Sequence, residues 1–258
     1  MTVRAARALL IVALVATTGL AASSCRQAQE PAPAQPAAPA ASVPPGTIKG
    51  RVHLAGTPPP NTPIWMHNDP MCQQGSADAP PLQEAIVVGS DGGLANVFGR
   101  LRGSFPETAV PAEPVEIDQR GCLYSPRMVG VRIGQPLRVS NSDSGLHNVH
   151  GISPGTDGFN VAQPLRGMTN QFRLKTEGIL RVTCDVHPWM IAFVGVVDHP
   201  FFAVSASDGT FEIPAVPAGV HAIEAWHERL GTITSSVSVE ASGVATVELE
   251  YSTGPDEK

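Results

Sequence analysis

The stretch FRLKTEGILRVTCDVHPWM, residues 172–190, is a pair of β-prone runs that ends in the loop Cys184-Asp-Val-His187-Pro188-Trp189-Met190, after which MIAFVGVVD resumes the β pattern. Side chains of a strand alternate between its two faces. A thiol, an imidazole and a thioether at i, i+3 and i+6 therefore cannot all face one way along an extended strand. A tight loop between two strands can turn all three toward one point.

The same punctuation extends outward in both directions. TIKGRVHLAG, EAIVVGSDGGLANVFGRLRG, MVGVRIGQPLRVSNSD, GTFEIPAVP, VHAIEAWHE, ITSSVSVEA and VATVELEY are short runs rich in Val, Ile, Phe and Thr, separated by turn residues, and the chain holds 25 Gly and 25 Pro. After the first two dozen residues no long segment shows the 3.6-residue spacing of an amphipathic helix. The expected class is all-β, built as one sandwich or two. Lys and Arg number 17 against 23 Asp and Glu, a net charge of −6. No basic footprint for nucleic acid is present, and no nucleic-acid partner is expected.

A second concentration of polar chemistry lies upstream. Asn141-Ser-Asp-Ser-Gly-Leu-His147-Asn148-Val-His150 follows the strand ending in LRVS. An imidazole from this turn, added to Cys184, His187 and Met190, makes two imidazoles, a thiolate and a weak axial thioether, the donor set of a blue-copper electron-transfer site. His150 is an alternative to His147, and Met128 or Met168 to Met190. His221 and His227 read as strand residues, with a second metal site alongside Glu224 or Glu228 as the alternative.

At these residues the chain resembles the cupredoxins, the plastocyanin and amicyanin type in particular. VEIDQRGCLYSPRMVGVRIGQPLRVSNSD resembles the family's opening strands, LHNVHG its His-Asn motif, and FRLKTEGILRVTCDVHPWM its last strands and its short Cys-x-x-His-x-x-Met ligand loop with Pro after His. The resemblance implies a Greek-key β-sandwich over residues 109–198 that holds one type 1 copper ion on His147, Cys184, His187 and Met190. Asn148 would tie the two ligand loops together by hydrogen bonds. The edge of His187, framed by Pro188 and Trp189, would be the port for electrons, although Trp189 packed beneath the loop is an equal reading. The chain departs from the family in lacking an aromatic residue just before Cys184 and in carrying Cys122, which could pair with Cys184 and destroy the site. Cysteine arithmetic points elsewhere: with Cys184 assigned to metal and Cys25 to a lipid, Cys72 and Cys122 remain, and in an oxidising compartment leftover thiols pair. Closing a loop of this length is worth about 4 kcal/mol in the chain-entropy account.

On either side of the copper-like segment, SASDGTFEIPAVPAGVHAIEAWHERLGT, with its Asp-Gly-x-Phe and Pro-x-Gly pattern, resembles the second half of a carboxypeptidase regulatory-like domain, a small transthyretin-like sandwich. GTIKGRVHLAG resembles its first strand and LANVFGRLRG its next. The expected organisation is a discontinuous sandwich, 46–108 plus 199–252, with the 109–198 domain inserted in it or packed beside it. The alternative is that 46–108 simply adds strands to the copper domain.

The N-terminus reads as an address. Arg4 and Arg7 precede the apolar run Ala8–Val15 and small residues follow, the pattern of an export signal over residues 1–24. Cys25 after Leu-Ala-Ala-Ser-Ser resembles a lipobox cysteine, with Ala22 at the position where Leu is usual. Cleavage near Ala22 with an idle Cys25 is the alternative. Residues 25–45 include a Pro/Ala-rich run suited to extended polyproline geometry, which at roughly 3.1 Å per residue would hold the folded part about 50 Å from a membrane.

Three functions follow as expectations. The first is a periplasmic, membrane-anchored one-electron carrier whose redox partner is a cytochrome, an oxidase or a dehydrogenase. The second is a copper delivery, scavenging or sensing protein, and the third a non-redox scaffold lipoprotein. No enzyme is expected. The sequence has none of the His-x-His pairs of a trinuclear copper cluster, and a hydrolase would rest only on Ser142, Asp143 and His147 crowded into one turn.

Overall fold

A computed structural model of the chain describes residues 43–66, 69–73, 79–152 and 158–253. Residues 1–24, Cys25 and most of the 25–45 linker lie outside them. In chain order the elements are β1 (Gly46–Ala55), α1 (Pro70–Gln73), β2 (Phe98–Arg102), β3 (Val115–Arg120), β4 (Leu123–Ser125), β5 (Met128–Arg132), β6 (Pro136–Asn141), β7 (His147–Ile152) and β8 (Phe159–Gln163). There follow β9 (Thr169–Arg173), β10 (Gly178–Thr183), β11 (Ile191–Val197), β12 (Phe202–Val204), β13 (Thr210–Val216), β14 (Gly219–His227), β15 (Gly231–Val239) and β16 (Val244–Ser252). The fold is all-β, as its alternating runs and turn residues require.

Four sheets form two sandwiches. Sheets ordered β13-β1-β16 and β12-β2-β14-β15 enclose one core, which includes Ile48, Val52, Leu94, Leu101, Ile213, Ile223 and Leu249. Sheets ordered β5-β11-β10-β7-β8 and β4-β3-β6-β9 enclose the other, which includes Ile117, Val131, Leu137, Val139, Val149, Leu180 and Val194. In the second sandwich β3 runs parallel to β6 and β5 parallel to β11. Parallel neighbours this far apart in sequence need crossovers, consistent with Greek-key connectivity. Ile64, Met66 and Cys72 belong to this second core, although they precede 109–198 and fall in the stretch assigned by sequence to the first sandwich. A segment of the first half of the chain thus lies across the second sandwich.

The sandwiches share a third, smaller core. Phe98, Met128 and Val197 are buried there, with Phe193, Phe202 and Trp226 packed against them. Gly130 and Gly195 are opposite one another on β5 and β11. A methyl group at Gly130 would sit 2.4 Å from the Phe202 ring, and one at Gly195 2.5 Å from Phe98. Glycine in a strand commonly marks such a close approach. Arg132 holds both chain crossings, donating to Thr108 Oγ1 (2.7 Å), Ala109 O (2.9 Å) and Asp198 O (2.7 Å).

His227, at the end of β14, is buried and accepts the amide hydrogens of Arg229 and Leu230 on Nδ1 (3.2 and 3.3 Å). Burial, then the charges of Arg127 and Arg229, lower its pKa from 6.5 to about 4. The unfolded chain therefore binds a proton between those values that the folded chain refuses. Stability from the neutral ring is complete above about pH 6.5 and lost as pH falls toward 4, a loss of roughly 3 kcal/mol. Urea denaturation at pH 7 and pH 4.5 should show His227→Asn losing clearly less stability on acidification than the parent. Equal losses would remove His227 from the account.

Candidate metal centre

Two strand ends meet at the top of the second sandwich. β7 opens with His147, and β10 delivers Cys184 one residue past its end. Between Cys184 and β11 the loop closes on itself, with Met190 N–H donating to His187 O (2.9 Å) and Cys184 N–H to Met190 O (3.4 Å). Below it, Tyr124 donates its hydroxyl hydrogen toward Asn148 O (2.6 Å) and Thr183 O (3.1 Å), joining both ligand-bearing strands.

His147, Cys184 and His187 present donor atoms that all lie within 4.8 Å of one another. His147 Nδ1 is 2.9 Å from His187 Nδ1, and Cys184 Sγ is 3.7 Å from His187 Nδ1. The three residues are at most 2% exposed, and Met190 is fully buried on the same loop. The outer nitrogens face carboxylates: His147 Nε2 is 3.0 Å from Asp143 Oδ2, and His187 Nε2 is 3.0 Å from Asp69 Oδ2. A carboxylate on Nε2 fixes a hydrogen there, so that the neutral ring carries its lone pair on Nδ1. Two ring nitrogens and a sulfur then converge on one small volume, where a proton or a metal ion can be shared among them.

Electrostatics agree. Burial alone would raise the Cys184 thiol, but hydrogen bonds from His147, His187 and the Asn148 amide bring it down from 9.0 to about 6. Burial would lower His147, yet Asp143 and Cys184 raise it from 6.5 to about 9. His187 is raised likewise, burial being outweighed by Cys184 and Asp69. Near neutral pH the site holds a thiolate whose charge the neighbouring rings answer with a proton. A thiolate and two imidazoles suit copper, and bonds of about 2.0–2.3 Å set neighbouring donors roughly 3–4 Å apart, the scale seen here.

Asn148 joins the loops. Its amide hydrogen is donated to Cys184 Sγ (3.5 Å), its Nδ2 to Asp185 Oδ2 (2.9 Å), and its Oδ1 accepts from Asp185 N. His150 turns away: its Nδ1 lies 2.8 Å from Asp185 Oδ1 at the surface. Met128 packs in the joint between sandwiches. Near His221 and His227 the candidate carboxylates are engaged elsewhere, Glu224 with Arg100 and Arg102, Glu228 with Arg127. In the hydrolase reading Ser142 faces Arg120, whose Nη2 donates to its Oγ (3.2 Å), while the far side of His147 faces Cys184 and His187.

A disulfide joins Cys72 to Cys122, and Cys184 is free and buried. The segment that carries Cys72 covers the site. Cys72 Sγ is 3.6 Å from His187 Nε2, and a methyl at Gly145 would sit 2.3 Å from Met71 Cε. Trp189 packs on the His187 ring with centroids 5.1 Å apart and donates Nε1–H to Cys122 O (3.0 Å). His187, whose edge was expected to pass electrons, is 2% exposed. Pro188 is exposed, and Trp189 borders a groove of about 320 Å³ that is also lined by Leu82, Arg120 and Arg127. Asp69 and Asp143 were missed as partners of the ligand rings. Asp143 had a signal, a carboxylate four residues before His147 in a turn closed by Asp143 N–H donating to Asn141 Oδ1 (2.9 Å).

No protein-family model matches the chain, and no curated protein matches it. Among solved structures, a copper-containing nitrite reductase from Thermus scotoductus is similar over 38% of this chain and 25% of its own, at 18% identity and a TM-score of 0.33. This chain thus spans about a quarter of that enzyme. A purple cupredoxin from Nitrosopumilus maritimus is similar over 31% of this chain and 97% of its own, at 26% identity and a TM-score of 0.28. A reduced amicyanin variant is similar over 38% and 97%, at 18% identity and a TM-score of 0.30. TM-scores of this size leave the fold to be read from the strands themselves.

Proposed function

We propose that the chain is a one-electron carrier of the cell envelope, with a type 1 copper ion on His147, Cys184, His187 and Met190. The observation that carries this reading is the convergence of two imidazole nitrogens and the Cys184 sulfur on one buried point. A bound copper ion supplies the Cu(II)/Cu(I) couple. The protein holds the thiolate deprotonated near neutral pH, fixes each imidazole by a carboxylate on its outer nitrogen, and locks the two loops through Asn148. Little then has to move when the charge at the centre changes. The protein is proposed to be exported, anchored through a lipid on Cys25, and served by a cytochrome, oxidase or dehydrogenase. Residues 46–108 and 199–252 are proposed as a carboxypeptidase regulatory-like sandwich that carries the copper domain.

Burial favours a carrier over delivery, since donors at most 2% exposed exchange metal slowly. A Cys184–His147–Asp143 hydrolytic arrangement, with imidazole between thiolate and carboxylate, is opposed by the same closure. The test is to load the purified soluble form with Cu(II) and record its visible spectrum. An intense thiolate-to-copper band that bleaches on reduction and persists against a chelator supports the carrier. A colourless protein overturns it, and a band lost at once to the chelator transfers the case to delivery.

A further inference from the structure

Resting on the copper reading, we infer that Asp69 and the Cys72–Cys122 disulfide form a positioning device that favours the oxidised ion over the reduced one. Asp69 divides its two oxygens. Oδ1 accepts the amide hydrogens of Met71 (2.9 Å) and Cys72 (3.2 Å), capping α1, while Oδ2 stands 3.0 Å from His187 Nε2. α1 has four residues, too few to hold itself. Its register on the site is set by the disulfide, which ties Cys72 to Cys122 beneath His187. The other end of the disulfide meets the second carboxylate: Cys122 N–H donates to Asp143 Oδ2 (2.9 Å), and the same oxygen is 3.0 Å from His147 Nε2. Each half-cystine thus sits beside the carboxylate that orients one ligand ring. A carboxylate on the outer nitrogen makes the imidazole a stronger donor. A fixed negative charge also favours the more highly charged ion, and does so most where water is excluded.

Asp69→Asn separates the two tasks. Its Oδ1 keeps the cap, but an NH₂ group replaces Oδ2 and meets an N–H with an N–H. Loss of a residue that orients a metal-bound histidine costs typically 10- to 100-fold in metal affinity. Here the loss falls on Cu(II) more than on Cu(I). Each tenfold difference raises a one-electron potential by about 59 mV. Voltammetry of the copper-loaded full chain should show that rise in Asp69→Asn. The double variant Cys72→Ser/Cys122→Ser should move the same way. If the double variant does not fold, Asp69→Asn decides alone. An unchanged potential with an unchanged visible spectrum reduces Asp69 to a helix cap and overturns the proposal. An independent readout needs no copper: nitrogen-15 NMR of the metal-free chain, recorded at a pH high enough for the His187 ring to be neutral, should show His187 as the Nε2–H tautomer, and that preference should weaken in Asp69→Asn. A preference unaffected by the substitution overturns the positioning role, whereas a weakened preference in a protein that forms no coloured complex upholds it while the carrier reading falls.

Discussion

Cys184→Ser is expected to abolish the intense visible band of the copper-loaded protein entirely, leaving at most the weak colour of a nitrogen- and oxygen-bound ion. The band requires a thiolate bound to copper, and Cys184 is the free cysteine among the described residues. A serine hydroxyl does not ionise near neutral pH, so neither the charge nor the soft donor is replaced. Selectivity for Cu(I) should fall as well, since thiolate is the ligand class that confers it. The copper-free variant should still fold. The sulfur's partners are the two imidazoles and the Asn148 amide, and a hydroxyl oxygen can accept from the same groups. The comparison is a spectral titration of parent and variant with Cu(II), with circular dichroism confirming the fold. A variant that keeps the parent's band would remove Cys184 from the centre.

Much of this centre was legible in the chain because its chemistry sits at strand ends that the β pattern itself marks. β10 ends where hydrophobic alternation gives way to Cys184-Asp-Val-His187, and β7 begins at His147 after a polar turn. Convergence of the three donors follows once the two strands are neighbours, and the register Thr183↔His150 makes them so. Asp69 was not legible. It reaches His187 across 118 residues from a segment with no periodicity, and only Cys72 hinted that this part of the chain meets the second sandwich. That hint fixed a bond to Cys122 and said nothing of what the segment would cover. The port expected at His187 rested on the resemblance of the ligand loop alone, which does not report that Asp69 and Cys72 lie against that ring.

The joint between sandwiches was equally silent. Gly130 and Gly195 read as ordinary glycines within β runs, because a strand pattern reports which residues face inward and not which face receives a neighbour. Phe98 and Phe202 supply the apolar part of that neighbour, and burial against glycine admits little slack. Arg127 carried no signal in the sequence, and Glu228 entered only as an alternative metal ligand beside His227. In the structure they meet across the joint.

Arg127→Ala tests how much that meeting matters, and the expected cost is about 2–3 kcal/mol in chemical denaturation, the range for leaving a largely buried charged group without its partner. Arg127 engages both carboxylate oxygens of Glu228, Nη2 to Oε2 at 2.9 Å, with side chains 13% and 10% exposed. Truncation leaves the carboxylate without its partner in a site that is mostly, but not wholly, closed to water. The penalty belongs to the orphaned charge and not to the attraction itself, so removing both charges should be far cheaper. Arg127→Met/Glu228→Leu, which fills similar volume with apolar groups, is expected to lie near the parent or above it. The single substitution carries a second signature: Arg127 helps to depress His227, so the acid loss of stability should shrink in Arg127→Ala. A double variant as unstable as the single one would mean that the pair holds the sandwiches together by shape, and an unchanged acid profile would uncouple Arg127 from the histidine behind it.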